Sequence, residues 1–176
     1  MSGHSLPKIG ISSCLLGHKV RYDGALKAHA NIISLVNSRF QAVPLCPETG
    51  AGLPTPRPPV QLVETPHGIR MIGVNDRTLD VTDLLERWIN DMLPQISALD
   101  GLILKSRSPS CGVDSTSLYT DGKEAGVTGA GLFSRRVMQQ FPDLPIIEEG
   151  AFDHPEVIEG FFERIRQYRC QLRQVE

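Results

Sequence analysis

Four short apolar runs with β-branched residues predict the buried strands of a parallel sheet. The runs lie at Lys8–Ser13, Gln41–Leu45, Gly101–Lys105 and Leu144–Ile147. Longer segments between and after them have helical spacing of apolar positions, at Ala28–Ser38, Val81–Leu99, Gly131–Gln140 and Pro155–Leu172. Alternating strands and helices predict an α/β fold, in which a mostly parallel sheet carries helices on both faces.

The segment Val60–Gly73 departs from this alternation. Two strand-like runs flank Thr65-Pro66-His67-Gly68, a turn sequence that predicts a small β-hairpin appended to the main sheet. Internal repeats, low-complexity stretches and long linkers are absent from the sequence, so residues 1–176 are predicted to form a single domain. A domain of this length buries enough apolar surface to fold without a stabilising metal.

Composition narrows the classes of partner. The formal charge is −2, with 18 basic and 20 acidic side chains, which is unlike a generic binder of phosphate backbones. Apolar stretches of signal-peptide or membrane-span length are absent from the sequence, so we expect a cytoplasmic protein without a membrane partner. Nothing indicates an obligate protein partner. In a reducing compartment, four cysteines favour free thiols or metal ligands over disulfides.

Three of the four cysteines, Cys14, Cys46 and Cys111, come just after three of the predicted strands. Ligands of open α/β sheets bind beyond the carboxyl ends of the strands, so we expect these thiols to meet there. The surrounding glycine, serine and proline residues leave backbone N–H groups free to stabilise thiolates. For any one cysteine alone, a small buried apolar residue is the favoured interpretation, but three at equivalent strand ends in polar loops favour a shared metal site.

Two kinds of metal site suit three thiolates. One is zinc with a fourth ligand from water or from a histidine such as His18 or His29, and the other is a [4Fe–4S] cluster with one iron that lacks a protein ligand. Paired C-x-x-C motifs typical of zinc knuckles are absent from the sequence. The residues by themselves leave both kinds of site open.

Five sequence blocks carry a resemblance to a known family. They are Ile11–Gly17 (ISSCLLG), Val20–Gly24 (VRYDG), Leu45–Glu48 (LCPE), Gly52–Leu53 with Pro56–Arg57, and Leu104–Gly112 (LKSRSPSCG). In this order they resemble the thiouracil desulfurase family, and the match extends from Lys8 to about Tyr168. The resemblance implies a [4Fe–4S] cluster on Cys14, Cys46 and Cys111. It further implies that the iron without a protein ligand takes the sulfur of a thiolated uracil, whose carbon–sulfur bond is hydrolysed without net redox change.

The resemblance also implies catalytic roles for the acid of the C-P-E motif and the first serine of S-P-S-C, here Glu48 and Ser108. A carboxylate beside a metal ligand activates water or protonates the ring, and a serine hydroxyl donates to the substrate. The residues also fit plainer roles. Glu48 after Pro47 is typical of a helix N-terminus, and Ser108 before Pro109 is typical of a turn.

Several further residues have both a functional and an ordinary interpretation. Asp23 is predicted either to bind the pyrimidine or to form a turn, and the sequence favours the turn. Arg57 lies in a proline-rich segment and is predicted either to point its guanidinium at the site or to be solvated at the surface. Lys105 and Arg107 offset cluster charge or are ordinary cations. Cys170 lies outside the five blocks and is predicted not to be a ligand.

The segment Gly126–Gly131 contains G-x-G before a predicted helix, but a full dinucleotide fingerprint is missing, so we predict a packing role. For the substrate we favour a free base or nucleoside, such as 2-thiouracil, 4-thiouracil or 4-thiouridine. The region from Gly131 to Gly150 resembles the first domain of two-domain tRNA 4-thiouridine desulfidases, which keeps tRNA as an alternative. A non-catalytic zinc-binding or interaction module and an electron carrier are the competing classes.

Overall fold

The computed structural model describes residues 5–175 and confirms the α/β class. Its strands are β1 Lys8–Ser12, β2 Gln41–Leu45, β3 Val60–Thr65, β4 Gly68–Gly73, β5 Gly101–Leu104, β6 Thr116–Thr120, β7 Lys123–Gly129 and β8 Ile146–Glu148. Its α-helices are α1 Ala30–Leu35, α2 Pro47–Gly50, α3 Thr82–Ile96, α4 Leu132–Gln140 and α5 Pro155–Val175. Two short 3₁₀ helices follow β1 and β8, at Ser13–Leu16 and Glu149–Asp153.

The main sheet has the strand order β2-β1-β5-β8, and all three pairings are parallel. Helices cover both of its faces. Side chains of α1 and α5 pack with Ile9 and Ile11 of β1, whereas side chains of α3 and α4 pack with Leu102 and Leu104 of β5. The chain adds strands on opposite sides of β1, so the point where the order reverses lies between β1 and β5.

Gly10 in the middle of β1 allows the layer containing α3 to approach the sheet. A Cβ atom at this position would lie only 2.5 Å from Leu102, 2.7 Å from Leu45 and 2.8 Å from Leu99. The missing side chain therefore lets three leucines pack directly over the central strand.

A second sheet, with the order β4-β3-β6-β7, was not predicted. The predicted hairpin is present as β3 and β4, but it pairs through β3 with a second hairpin, β6–β7, rather than with the main sheet. Asp121 and Gly122 join β6 to β7 with φ values of 51° and 78°, as a type I′ turn requires. Leu62 and Met71 of this sheet pack into the core on the α3 side of the main sheet.

The ends of some elements differ from those predicted. Helix α1 is shorter than Ala28–Ser38 because Val36 is extended and Asn37 has a φ of 64°. The last strand of the main sheet lies one to two residues later than Leu144–Ile147. Among residues 5–175, no helix has both the length and the apolar character needed to span a lipid bilayer.

Candidate active site

A cavity of about 720 Å³ lies beyond the carboxyl ends of the main-sheet strands. Every strand of that sheet leads into it. Cys14 follows β1, Cys46 follows β2, the loop from Lys105 to Cys111 follows β5, and Glu149 follows β8. The strand-end rule thus brings residues from distant parts of the chain to one place.

The three predicted ligand cysteines line this cavity together and are free thiols. Burial, and after it the neighbouring Cys46, raise the pKa of the Cys14 thiol to about 11. Burial also raises the pKa of Cys111, although a hydrogen bond from Ser12 opposes the shift. Cys14 and Cys111 therefore keep their protons until a cation replaces them.

The donor set of three thiols on one cavity fits an iron–sulfur cluster, which proteins hold by cysteine thiolates. Within residues 5–175, no three His, Cys, Asp or Glu side chains are placed to hold one ion. Cluster ligands bind different irons and therefore stand farther apart than ligands around one zinc. His29 lines the cavity, whereas His18 is not among the residues that line it.

Helix α4 holds the loop that carries Cys111. The N–H group of Leu132 donates to the carbonyl of Pro109 at 2.9 Å, and that of Gly131 donates to Gly112 at 2.8 Å. A Cβ atom at Gly131 would lie 2.5 Å from the backbone of Ser110. The packing role predicted for the glycine-rich segment is therefore confirmed at Gly131, where the unsatisfied N–H groups of a helix terminus find acceptors in the ligand loop.

Glu48 is buried in the first turn of α2, two residues after Cys46. Its Oε2 accepts a hydrogen bond from Arg57 Nε at 2.7 Å, and its Oε1 accepts one from Ser110 Oγ at 2.8 Å. Ser110 is itself buried and is contributed by the Cys111 loop. The carboxylate is therefore fixed between the loops that carry Cys46 and Cys111. Glu48 lies at a helix N-terminus, as predicted, and also lines the cavity.

Arg57 lines the cavity, as predicted, but its N–H groups serve the protein. Besides the ion pair with Glu48, Nη2 donates to the carbonyl of Val20 at 2.9 Å, and Nη1 donates to the carbonyl of Pro54 at 3.1 Å and to Thr55 Oγ1 at 3.2 Å. These contacts fit a role in orienting Glu48 better than direct binding of a pyrimidine.

Ser108 also lines the cavity. Its Oγ accepts hydrogen bonds from the backbone N–H of Ser110 at 3.3 Å and of Cys111 at 3.1 Å, which is the predicted turn geometry. Because the oxygen acts as acceptor in both bonds, the hydroxyl hydrogen remains available to a molecule in the cavity.

Asp23 is exposed and is not among the residues that line the cavity. Its carboxylate accepts two hydrogen bonds from Arg21 at 3.2 Å and one from the Ala25 N–H at 2.9 Å. The hydrogen bond from Arg21 holds the pKa of Asp23 below its usual value. This geometry matches the turn role, and it orients Arg21, which does line the cavity.

A second buried carboxylate, Glu149, faces the cavity from the end of β8. It pairs with Lys105 Nζ and accepts hydrogen bonds from the Ser106 backbone N–H at 2.6 Å and from Ser106 Oγ at 2.8 Å. Burial opposes ionisation of Glu149, but Lys105 and Ser106 outweigh it and lower the pKa. Arg107 also lines the cavity and is exposed, with a φ of 57°.

Sequence reasoning missed Ser110, Glu149 and Arg21 as cavity residues. A signal for Ser110 is its position inside S-P-S-C, and a signal for Glu149 is its position after the fourth strand. Cys170 is exposed on α5 and is not among the residues that line the cavity.

Comparison with known proteins identifies the family. A family model described as 2-thiouracil desulfurase matches residues 9–149, a range that contains nearly every cavity residue named above. The chain belongs to the 2-thiouracil desulfurase family. A curated relative, the uncharacterized protein YbbK of Bacillus subtilis (strain 168), is 33% identical over 138 residues, which are 73% of this chain and 88% of that protein.

A solved structure is similar over most of the chain. It is that of the [4Fe–4S]-dependent thiouracil desulfidase TudS, with a TM-score of 0.67 and 30% identity over 88% of this chain and 97% of that chain. The family resemblance and the α/β class predicted from the sequence are therefore both confirmed.

Proposed function

We propose that this protein removes sulfur from a thiolated pyrimidine, a free base or nucleoside, and releases sulfide and the oxo-pyrimidine. Cys14, Cys46 and Cys111 would hold a [4Fe–4S] cluster with one iron not bound by protein. The observation that carries the proposal is the convergence of these three thiols and a buried, paired carboxylate on one cavity. Membership of the 2-thiouracil desulfurase family and the similarity to TudS support it.

When bound, the cluster supplies a soft Lewis acid that polarises the carbon–sulfur bond of the substrate. The protein must first provide thiolates. Because burial raises the pKa of Cys14 and Cys111, binding of iron releases protons that these thiols otherwise keep. The raised values also favour neutral thiols in the protein without metal, which limits repulsion between three neighbouring sulfurs.

Glu48 is the proposed base. Hydrogen bonds from Arg57 at 2.7 Å and from Ser110 at 2.8 Å fix the direction of its side chain. A carboxylate held in this way accepts a proton from the water that attacks the carbon bearing sulfur. One water then supplies the oxygen of the product and the protons of the released sulfide, so the reaction needs no electron donor.

Ser108 is the proposed substrate donor. Its oxygen is held by two backbone N–H groups of the ligand loop, so its hydroxyl hydrogen has a defined direction. A hydrogen bond from this group to the pyrimidine orients the ring without contributing a metal ligand. The cavity volume of about 720 Å³ lies in the range usual for small-molecule sites.

An anaerobic assay of sulfide release tests the proposal. The substrates are 2-thiouracil, 4-thiouracil, 4-thiouridine and tRNA that contains 4-thiouridine. We expect a brown protein that releases sulfide and oxo-pyrimidine in equal amounts from a free base or nucleoside, without added reductant. A colourless zinc-containing protein, or an iron-loaded protein that desulfurates none of them, would overturn the proposal, and activity on tRNA alone would overturn its small-molecule part.

A further inference from the structure

His29, the residue just before α1, lines the proposed active-site cavity but has no part in the chemistry described above. Its backbone N–H donates to the carbonyl of Leu15 at 2.8 Å, which ties it to the segment that carries Cys14. Its imidazole packs edge-on against Phe152, with ring centroids 6.2 Å apart and an interplanar angle of 68°. Backbone and ring contacts together fix the orientation of this side chain.

The Nδ1 atom of His29 is buried and has no hydrogen-bond partner. Among the side chains of residues 5–172, no other buried nitrogen or oxygen of a non-exposed residue lacks a partner. A buried N–H group without an acceptor is rarer in proteins than a buried lone pair without a donor. A proton on Nδ1 would place an unpaired N–H at this buried position. Nδ1 is therefore best occupied by a lone pair, which leaves the proton of the neutral imidazole on Nε2.

We propose that His29 is a specificity-determining residue that presents a neutral Nε2–H donor to the cavity and binds the oxo oxygen of the pyrimidine. The inference rests on the proposed function. Every thiolated uracil keeps one exocyclic oxygen in addition to its sulfur, and that oxygen is a hydrogen-bond acceptor. Because contacts with the protein fix the orientation of the His29 ring, its Nε2–H group offers this oxygen a donor of fixed direction.

Neighbouring groups are less suited to this task. Glu48 and Glu149 are acceptors as carboxylates, and both are already bonded to protein donors. The Arg57 guanidinium and the Lys105 ammonium pair with these two carboxylates. His29 is half-buried and makes no such pairing, so its donor is available to a ligand.

Binding of reaction products tests the assignment without turnover. Equilibrium dialysis with iron-loaded protein compares uracil with pyrimidin-2-one and pyrimidin-4-one, each of which lacks one of the two oxo groups. Wild type should prefer uracil over one of these analogues by about tenfold, the effect of one hydrogen bond. His29→Phe keeps the ring contact with Phe152 and should lose that preference. The analogue over which uracil is no longer preferred is the one that lacks the oxygen bound by His29.

Two amide variants provide the matched control. His29→Gln places an amide N–H near the position of Nε2 and should restore part of the preference, whereas His29→Asn places it near Nδ1 and should not. Nitrogen chemical shifts of the wild-type ring should show the Nε2–H tautomer, and an Nδ1–H tautomer would overturn the assignment.

Failure of this inference is distinguishable from failure of the proposed function. A His29→Phe protein that keeps the wild-type preference, or that binds all three ligands more weakly by one common factor, would overturn the role of His29 alone. Wild-type protein that binds none of the three would overturn the proposed function and this inference with it.

Discussion

Two groups of similar make-up line the cavity, each with a buried carboxylate, a cation and a serine. The Glu48 group consists of Glu48, Arg57 and Ser110, and the Glu149 group consists of Glu149, Lys105 and Ser106. Among the described contacts, Glu48 accepts only from side chains, whereas Glu149 also accepts the backbone N–H of Ser106. A carboxylate that binds backbone holds a loop in place, and one that binds only side chains is oriented by them.

This difference separates a proposed catalytic carboxylate from a positioning one, although both carboxylates are buried, pair with a cation and line the same cavity. Glu48 is joined to the ligand loops of both Cys46 and Cys111, through the chain and through Ser110. Glu149 lies at the end of β8 and fixes the first residues of the loop after β5. The type of group that donates to a buried carboxylate, backbone or side chain, is therefore a better guide to its role than its burial or its place in the cavity.

The largest expected effect is the loss of the proposed cluster. Replacing Cys14, Cys46 or Cys111 by Ala should abolish iron retention, because each would supply one of only three protein ligands. Cys170→Ala is the matched control and should leave iron content nearly unchanged, since that cysteine is exposed on α5. Iron and sulfide analysis of anaerobically purified variants measures this. Equal loss in all four variants would point to a conventional four-cysteine cluster.

Glu48→Gln should keep iron while kcat for sulfide release falls by about 10²–10⁴-fold, the usual contribution of a positioned base. The amide keeps the size of the side chain and removes its ability to take a proton. Glu149→Gln is the control from the other group and should retain most of the rate per iron. If the two variants had equal rates, the distinction between the groups would fail.

Ser108→Ala should lower sulfide release by about tenfold or more, because a hydrogen bond to the substrate is removed. Iron content should remain high. Ser106→Ala, from the Glu149 group, is the comparison and should affect unfolding more than turnover. Loss of iron in Ser108→Ala would instead assign this serine to supporting the Cys111 loop, whose backbone N–H it binds at 3.1 Å.

The smallest effect concerns pH and the Glu149 group. The pKa of Glu149 is lowered in the folded protein, so its stabilisation is complete above the ordinary carboxyl pKa and is lost as the pH falls through the lowered value. At neutral pH, Glu149→Gln should therefore lower the free energy of unfolding by about 1–3 kcal/mol.

In acid, the unfolding curves of Glu149→Gln and wild type should converge. Urea unfolding of both proteins without iron measures this, because acid loss of the cluster then plays no part. A difference that stays constant with pH would show that the Glu149 pairing with Lys105 does not contribute through charge.

The sequence was sufficient to predict the main sheet because its two central strands, β1 and β5, are buried along nearly their whole length and form continuous apolar runs. The second hairpin escaped prediction because β7 is mostly exposed and lacks an apolar–polar alternation. Its one local signal is the Asp121-Gly122 turn, whose positive φ values suit a two-residue hairpin loop.

In the site, strand-end position predicted that Cys14, Cys46 and Cys111 would line one cavity. The partners of Glu48 were not predicted, because contacts between side chains far apart in sequence leave no periodic pattern. Ser110, for example, lies 62 positions from the carboxylate that it binds.

The placement of the three thiols after β1, β2 and β5 has a consequence for the order of folding. Two of these strands pair with the third, so the thiols meet only when contacts between distant parts of the chain have formed. Insertion of the proposed cluster would then be a late event that cross-links a sheet already formed. It would slow unfolding of the cavity edge without providing the nucleus from which the fold begins.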